Sequence, residues 1–333
     1  MTRTIAILGT GLIGASLGLA LGTADQESSL LGPVKIVGYD QDKSQLRTAR
    51  GRLALDAEAK SAAEAVKDAE IVIIATPVRA VPEVMREIAP HLRYRALVTD
   101  VGSTKAAIQQ WARELLPTTV SFVGGHPMAG TERAGADHAQ LDLFKGQIYC
   151  LCPTVNAQPE AVDLATALVE TIGAKPYFID AAEHDSYVAG ASHLPFVLSV
   201  ALAEATSRSA GWKDMQLLAA TGYRDITRLA AGDPTMHRDI CLTNGPGITH
   251  WINEAIRVLV DLRGSIEDQD ADALLGLFAR AKAQRDLWAS APQNQRPGEG
   301  SPLNADDYGA NMATRLLGGS ATAALRRQNR KKD

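Results

Sequence analysis

Apolar positions in the first half of the chain come in short β-branched runs, at 5–8, 34–39, 71–75, 96–99, 120–123, 147–151 and 175–179. Between them, apolar residues recur every three or four positions over 12–21, 80–88, 105–115 and 160–172. Strand runs alternating with helical periodicity predict βαβ units and a doubly wound parallel sheet. Past 183 the strand runs cease, and the spacing predicts helices over 183–208, 212–221, 224–232, 234–244 and 247–288. A change this sharp predicts a boundary near residue 180, with an α/β domain over 1–180 and an all-α domain over 181–290. The rest turns to Pro, Gly, Asn and Gln and closes on a basic run from Arg326 to Lys332. That composition predicts a loosely held tail over 291–333, with one candidate helix at 309–327.

Composition changes this picture little. A chain of 333 residues, 46% apolar and 22% charged, has enough apolar material for two cores. A net charge of −4 gives no reason to expect nucleic acid or an anionic membrane as partner. The stretch 187–203 carries no charge, but it is shorter than the ~20 residues of a membrane span and contains His193 and Pro195. It predicts a buried helix instead. The first strand starts at Ile5, so no signal peptide is expected ahead of it. Cys150, Cys152 and Cys241 lack metal-ligand spacing, and Cys150 and Cys152 share one face of a strand. They predict core thiols in a reducing cytoplasm, and no metal site.

Chemistry enters at Gly9-Thr10-Gly11-Leu12-Ile13-Gly14, directly after the first strand and opening an apolar helix. Gly9 permits the tight turn, Gly11 lets backbone approach a pyrophosphate, and Gly14 lets helix and strand pack closely. The helix N-terminus, from Leu12 and Ile13, faces the negative charge. Asp40 ends the second strand, where a carboxylate can hold a ribose diol and would repel a 2′-phosphate, so NAD is expected as cofactor. Lys43 keeps NADP as the alternative. Thr76 and Pro77 follow the Ile-rich third run, and Asp100 to Lys105 follow the fourth. Both lie at carboxyl ends of strands, where such sheets bind ligands, so Thr76, Pro77 and Asp100 are read as cofactor contacts. Ser103 reads equally well as a helix cap or as a functional hydroxyl.

His126 stands in Gly124-Gly125-His126-Pro127-Met128-Ala129-Gly130-Thr131-Glu132, just past an apolar run. That context puts one imidazole at the sheet rim, where it can exchange a proton near neutral pH. In the helical half, Ser192 and His193 precede Pro195, and Arg224 and Arg228 are four residues apart on one helix face. Two guanidinium groups so placed need an anion between them. Asp225 or Asp233 can supply it, and so can a substrate carboxylate held by bidentate hydrogen bonds.

Taken in order over roughly residues 3–285, the segments 9–14, 100–105, 125–132, 192–195 and 222–239 resemble the prephenate and arogenate dehydrogenases of tyrosine biosynthesis. The resemblance implies a Rossmann domain joined to a helical domain through which two chains dimerise. It implies oxidative decarboxylation of a cyclohexadienyl substrate, with hydride passing to NAD. His126 is then the base for the ring C4 hydroxyl, with Ser103 orienting it and the nicotinamide. Arg228 binds a substrate carboxylate with Arg224 in support, Ser192 contacts substrate, Glu132 lines the entrance, and His193 is structural. One departure stands out: relatives that use prephenate often read Ser-His-Leu-Pro-His, and here the last place is Phe196. Prephenate is the expected substrate, with arogenate or dual use as the alternative. A β-hydroxyacid dehydrogenase or an imine reductase would share the domain plan, but would place its proton-transfer group on an interdomain helix. A non-catalytic NAD-binding scaffold would need no second pocket beside His126.

Overall fold

The computed structural model describes residues 2–24, 29–131 and 133–290. The expected tail, its candidate helix and Glu132 therefore lie outside the described residues. Eight strands form one sheet: β1 (Arg3–Leu8), β2 (Val34–Tyr39), β3 (Ala57–Glu58), β4 (Ile71–Ile74), β5 (Leu97–Asp100), β6 (Ser121–Pro127), β7 (Ile148–Pro153) and β8 (Lys175–Phe178). They lie in the order β3-β2-β1-β4-β5-β6-β7-β8. The helices between them are α1 (Leu12–Thr23), α2 (Lys43–Gly51), α3 (Ala62–Val66), α4 (Val81–Ile88), α5 (Ala106–Leu115) and α6 (Pro159–Thr171).

Successive strand residues serve opposite faces, so each strand feeds two cores. On β1, Ile5 and Ile7 pack with Leu17 and Leu21 of α1 on one side. Ala6 and Leu8 pack with Val66 and Ile108, of α3 and α5, on the other. On β4, Ile71 and Ile73 divide from Val72 and Ile74 in the same way. Burial on both faces is why these strands read as unbroken apolar runs.

The sheet is mostly parallel and doubly wound, as the sequence predicts, and differs from that reading in two details. The sheet is mixed: β6 pairs antiparallel with β7, with His126 opposite Cys150, and β8 runs parallel to β7. His126 is not past its strand but inside β6, which is buried along its whole length. The glycines make this possible, because a Cβ on Gly125 would lie 2.4 Å from the Asp100 carbonyl oxygen and 3.0 Å from the Tyr149 ring. The strand β3 and the helices α2 and α3 carried too little apolar pattern to be expected. In α2 the anchor is a cap, with the Asp42 carboxylate accepting from the Ser44 amide at 2.8 Å.

The helical half holds α7 (Ala181–Val188), α8 (Leu194–Ser207), α9 (Trp212–Leu218), α10 (Thr221–Thr227), α11 (Pro234–Thr243), α12 (Gly245–Glu267) and α13 (Ala271–Ser290). A π-helical turn, Ala189–His193, joins α7 to α8. Two expected helices divide. The run 224–232 becomes the end of α10 plus a 3₁₀ turn, Arg228–Ala231, because the Ser199 hydroxyl of α8 takes the Ala230 amide at 2.9 Å. The run 247–288 breaks at Gln269 (φ 55°), where the Asp270 carboxylate accepts from the Ala273 amide at 2.9 Å and starts α13.

The helix from Ala181 to Ser207 is long and apolar enough to cross a membrane by length and composition alone. It is not the wholly buried helix expected: Phe196 and Ser199 of α8 are buried, whereas Leu198 and Val200 are exposed. Polar groups of α7 and α11 tie the two halves together. Asp185 accepts from the amides of Lys105 (2.7 Å) and Ala106 (2.9 Å), capping α5 from outside. Asp239 of α11 accepts from the Arg79 amide at 3.3 Å, and the hydroxyls of Thr104 and Thr243 meet at 2.9 Å.

Candidate active site

At the carboxyl end of β1 the glycine turn is built as its sequence requires. Gly9 adopts φ +95°, and a Cβ there would lie 2.5 Å from the Ala75 carbonyl oxygen. A Cβ on Gly14 would strike the Gly9 carbonyl oxygen at 2.0 Å, so Gly14 sets how closely α1 meets the turn. At Gly11 a Cβ would meet nothing within 4 Å, and no side chain caps the first amides of α1. Open space in front of uncapped amides fits a pyrophosphate. Leu12 is buried at that helix start and Ile13 packs partly on the core, so their amides, not their side chains, are what they offer. Asp40 accepts from the Thr10 amide at 2.7 Å and the Asp42 amide at 2.9 Å, which fixes the carboxylate beside the turn. The Thr76 hydroxyl, next to exposed Pro77, is buried with no hydrogen-bond partner. An orphaned hydroxyl on Thr76, whose amide lies against Gly9, is a second sign that the groove is shaped for a ligand.

The Asp100 side chain is turned into the protein. It is fully buried, and its carboxylate accepts from the Gly102 amide (2.8 Å), the Gly125 amide (3.1 Å) and the Lys105 ammonium. Lys105, 1% exposed, donates as well to the Gly125 carbonyl at 2.6 Å. This buried ion pair holds the ends of β5 and β6 together directly under His126.

A cavity of about 720 Å³ opens between the sheet edge and the helical half, lined by Ser103, His126, Ser192, His193, Phe196, Arg228 and His237 among others. Four residues proposed from sequence thus meet on one wall system: Ser103, His126, Ser192 and Arg228. Arg224, exposed on α10, does not line it. The 3₁₀ turn starts at Arg228 and carries Arg228 and Leu229 onto the cavity wall.

The sequence reading missed what stands behind His126. Its Nδ1 lies 2.9 Å from Nε2 of His184, and His184 Nδ1 lies 2.8 Å from an Asp185 carboxylate oxygen. The carboxylate can only accept, so His184 donates from Nδ1 and, in its neutral form, accepts at Nε2. His126 must then donate from Nδ1, which leaves its Nε2 as a bare lone pair. Burial holds the His126 imidazole well below its usual pKa, and the neighbouring His184, Lys105 and His193 push the same way. His126 is therefore a neutral base.

His193 repeats the logic with the opposite sign. The Asn244 amide group donates to the Asp185 carbonyl at 2.7 Å and contacts His193 Nδ1 at 3.2 Å. Nδ1 is the acceptor, so the proton sits on Nε2, which is buried without a partner on the cavity wall. Burial brings its pKa down to about 4, with Asp185 opposing. His193 is thus held through Nδ1, and its Nε2–H lies on the cavity wall beside the Ser103 backbone. The adjacent His184 and Asp185 gave no sequence signal, since spacing along the chain does not show which strand α7 will face.

Residues 31–178 match the family model "Prephenate dehydrogenase, nucleotide-binding domain", and residues 180–280 match "Prephenate dehydrogenase, dimerization domain". The prephenate dehydrogenase of Bacillus subtilis is 36% identical over 290 residues, 86% of this chain and 76% of that protein. The crystal structure of Synechocystis arogenate dehydrogenase is similar with TM-score 0.71 and 30% identity, covering 86% of this chain and all of that one (100%). The Aquifex aeolicus prephenate dehydrogenase, in complex with hydroxyphenyl propionate and NAD+, is similar with TM-score 0.77 and 28% identity, over 85% and 97% of the two chains. With both domains matched in order, and a relative this similar over most of its length, the chain belongs to the prephenate dehydrogenase family.

Proposed function

We propose that this chain is an NAD-dependent dehydrogenase that converts prephenate to 4-hydroxyphenylpyruvate in tyrosine biosynthesis. The observation that carries the reading is the bare Nε2 of His126, held neutral by the contact to His184 and facing the cavity. Bound against the glycine turn, NAD supplies the hydride acceptor. Gly9, Gly11, Gly14 and the amides of Leu12 and Ile13 hold its pyrophosphate, Asp40 its ribose, and Thr76 and Pro77 flank its path across the strand ends.

The ring C4 hydroxyl donates to His126 Nε2, and its proton moves there as C4 gives up hydride. The positive charge this creates is shared with His184, whose Nδ1–H already meets Asp185. His193 Nε2–H and the Ser103 hydroxyl are donors for the C4 oxygen while charge builds on it. Arg228 holds a carboxylate, and Ser192 lines the same wall. The oxidised ring then loses its carboxylate as carbon dioxide and becomes aromatic, and the proton held on His126 returns to the phenolate oxygen so formed.

Arogenate as substrate is the second reading. It is favoured by Phe196, which removes an imidazole from the cavity wall, and by the likeness to the Synechocystis enzyme. Measuring kcat/KM for prephenate and arogenate, each with NAD and NADP, tests both. Higher kcat/KM with prephenate and NAD is expected, and turnover of neither substrate overturns the reading.

The active unit is a homodimer. Apolar residues lie exposed along α12 and α13, including Ile256, Leu259, Leu275 and Phe278, within the part matched as a dimerization domain. A contiguous apolar surface of that kind is what a second copy covers. The thiols of Cys150 and Cys152 are unpaired and buried, that of Cys150 pushed up to about 12, which suits a reducing cytoplasm.

A further inference from the structure

His237 takes no part in the mechanism above, yet it stands on the wall of the same cavity. Its ring is stacked on Phe196, centroids 4.2 Å apart and planes within 2°. Its Cε1–Nε2 edge rests on Gly232, where a Cβ would come within 2.8 Å of both atoms. One face and one edge are thus held, and neither ring nitrogen is hydrogen-bonded to the described residues. A clamped imidazole with an unused N–H is a preorganised donor. The substrate of the proposed reaction carries a ring carboxylate, a C4 hydroxyl and a side-chain carboxylate. His126, His193 and Ser103 serve the hydroxyl, and Arg228 can serve one carboxylate, which leaves the other without a partner.

We infer that His237, stacked on Phe196 and seated on Gly232, binds the carboxylate of the substrate's three-carbon side chain, while Arg228 binds the ring carboxylate. This rests on the proposed reaction and deepens it. The imidazole that Phe196 removes from the wall is supplied by α11, and Phe196 becomes the platform that aims it. A phenyl ring suits that task because it offers a flat apolar face and no competing hydrogen bond.

The test uses the holoenzyme with NAD and three ligands. 3-(4-Hydroxyphenyl)propionate carries only the side-chain carboxylate, 4-hydroxyphenylethanol carries none, and prephenate carries both. His237→Phe keeps a ring on Phe196 and removes both nitrogens. It is expected to weaken hydroxyphenylpropionate binding about tenfold or more and to leave hydroxyphenylethanol within about twofold. Arg228→Ala is expected to do the reverse for a ligand with no ring carboxylate, changing hydroxyphenylpropionate little while raising KM for prephenate. His237→Gln, which restores an N–H donor, is expected to recover part of the loss, and it covers the case in which phenylalanine does not fit against Gly232. Equal effects of His237→Phe on both phenols, or none on hydroxyphenylpropionate, overturn the inference. Absence of prephenate turnover by the unaltered enzyme, with the ligand discrimination intact, overturns the reaction and leaves the subsite standing.

Discussion

His126 Nδ1 lies 2.9 Å from His184 Nε2, and that one contact decides which nitrogen of His126 faces the cavity. Replacing His184 with phenylalanine keeps an aromatic ring and removes the acceptor. The His126 proton is then free to move to Nε2, where it blocks the base. We expect kcat to fall about 100-fold, with KM for prephenate within about threefold and NAD affinity unchanged. Steady-state kinetics and a direct NAD titration check this, and an unaltered kcat would separate His184 from the chemistry.

His126 itself is the more direct target. His126→Asn retains a polar side chain in β6 but has no lone pair of suitable basicity. Turnover is expected to fall by a factor of ~100 or more while the NAD dissociation constant stays put. Near-normal turnover would move the base elsewhere.

Arg228→Ala removes a guanidinium from the cavity wall without touching the glycine turn. KM for prephenate is expected to rise about tenfold or more, with a smaller change in kcat, because a charge-assisted contact to a carboxylate is lost. Arg224→Ala, at an exposed site off that wall, is expected to change KM less than about twofold.

Acid sensitivity follows from the buried imidazoles. His193 is held at about 4 against an ordinary 6.5. Between those values the unfolded chain binds the proton and the folded one does not, so stability falls as pH drops through 6.5 and the loss is complete near 4. At pH 5 this residue alone costs about 2 kcal/mol relative to neutral pH. His126, also depressed, adds in the same direction. Thermal melts between pH 7.5 and 5 are expected to show Tm falling steadily, and His193→Asn to flatten the slope.

Lys105→Met leaves the buried Asp100 carboxylate with its amide donors and no cation. Breaking such a pair from one side costs about 3–5 kcal/mol, so soluble yield and Tm are expected to drop sharply. Lys105 also donates to the Gly125 carbonyl, one residue before His126, so activity is expected to fall further than stability alone explains.

Much of the fold was legible because its signals are local. The glycine turn needs Gly9 and Gly14 for contacts under 3 Å, and those needs show as a spacing. Strands such as β4, buried on both faces, show as unbroken Ile and Val. The elements that stayed hidden are the ones fixed by capping: α2 by Asp42, and the break before α13 by Asp270. A single side-chain oxygen does that work, and it leaves no periodic trace. The antiparallel β7 escaped for a related reason, since a strand's apolar pattern is the same in either direction.

By itself the sequence determined the two-part plan, the dinucleotide turn, and four polar residues that one cavity brings together: His126, Ser103, Ser192 and Arg228. Those follow from patterns within a few residues of each other. Tertiary structure alone decided that Asp100 is a buried counter-ion, that Arg224 lies off the wall, and that His184, Asp185 and Asn244 set the protons on His126 and His193. It also brought His237 onto Phe196 from another helix. Proton placement on an imidazole depends on what its other nitrogen touches, and those partners here lie 51 and 58 residues away along the chain.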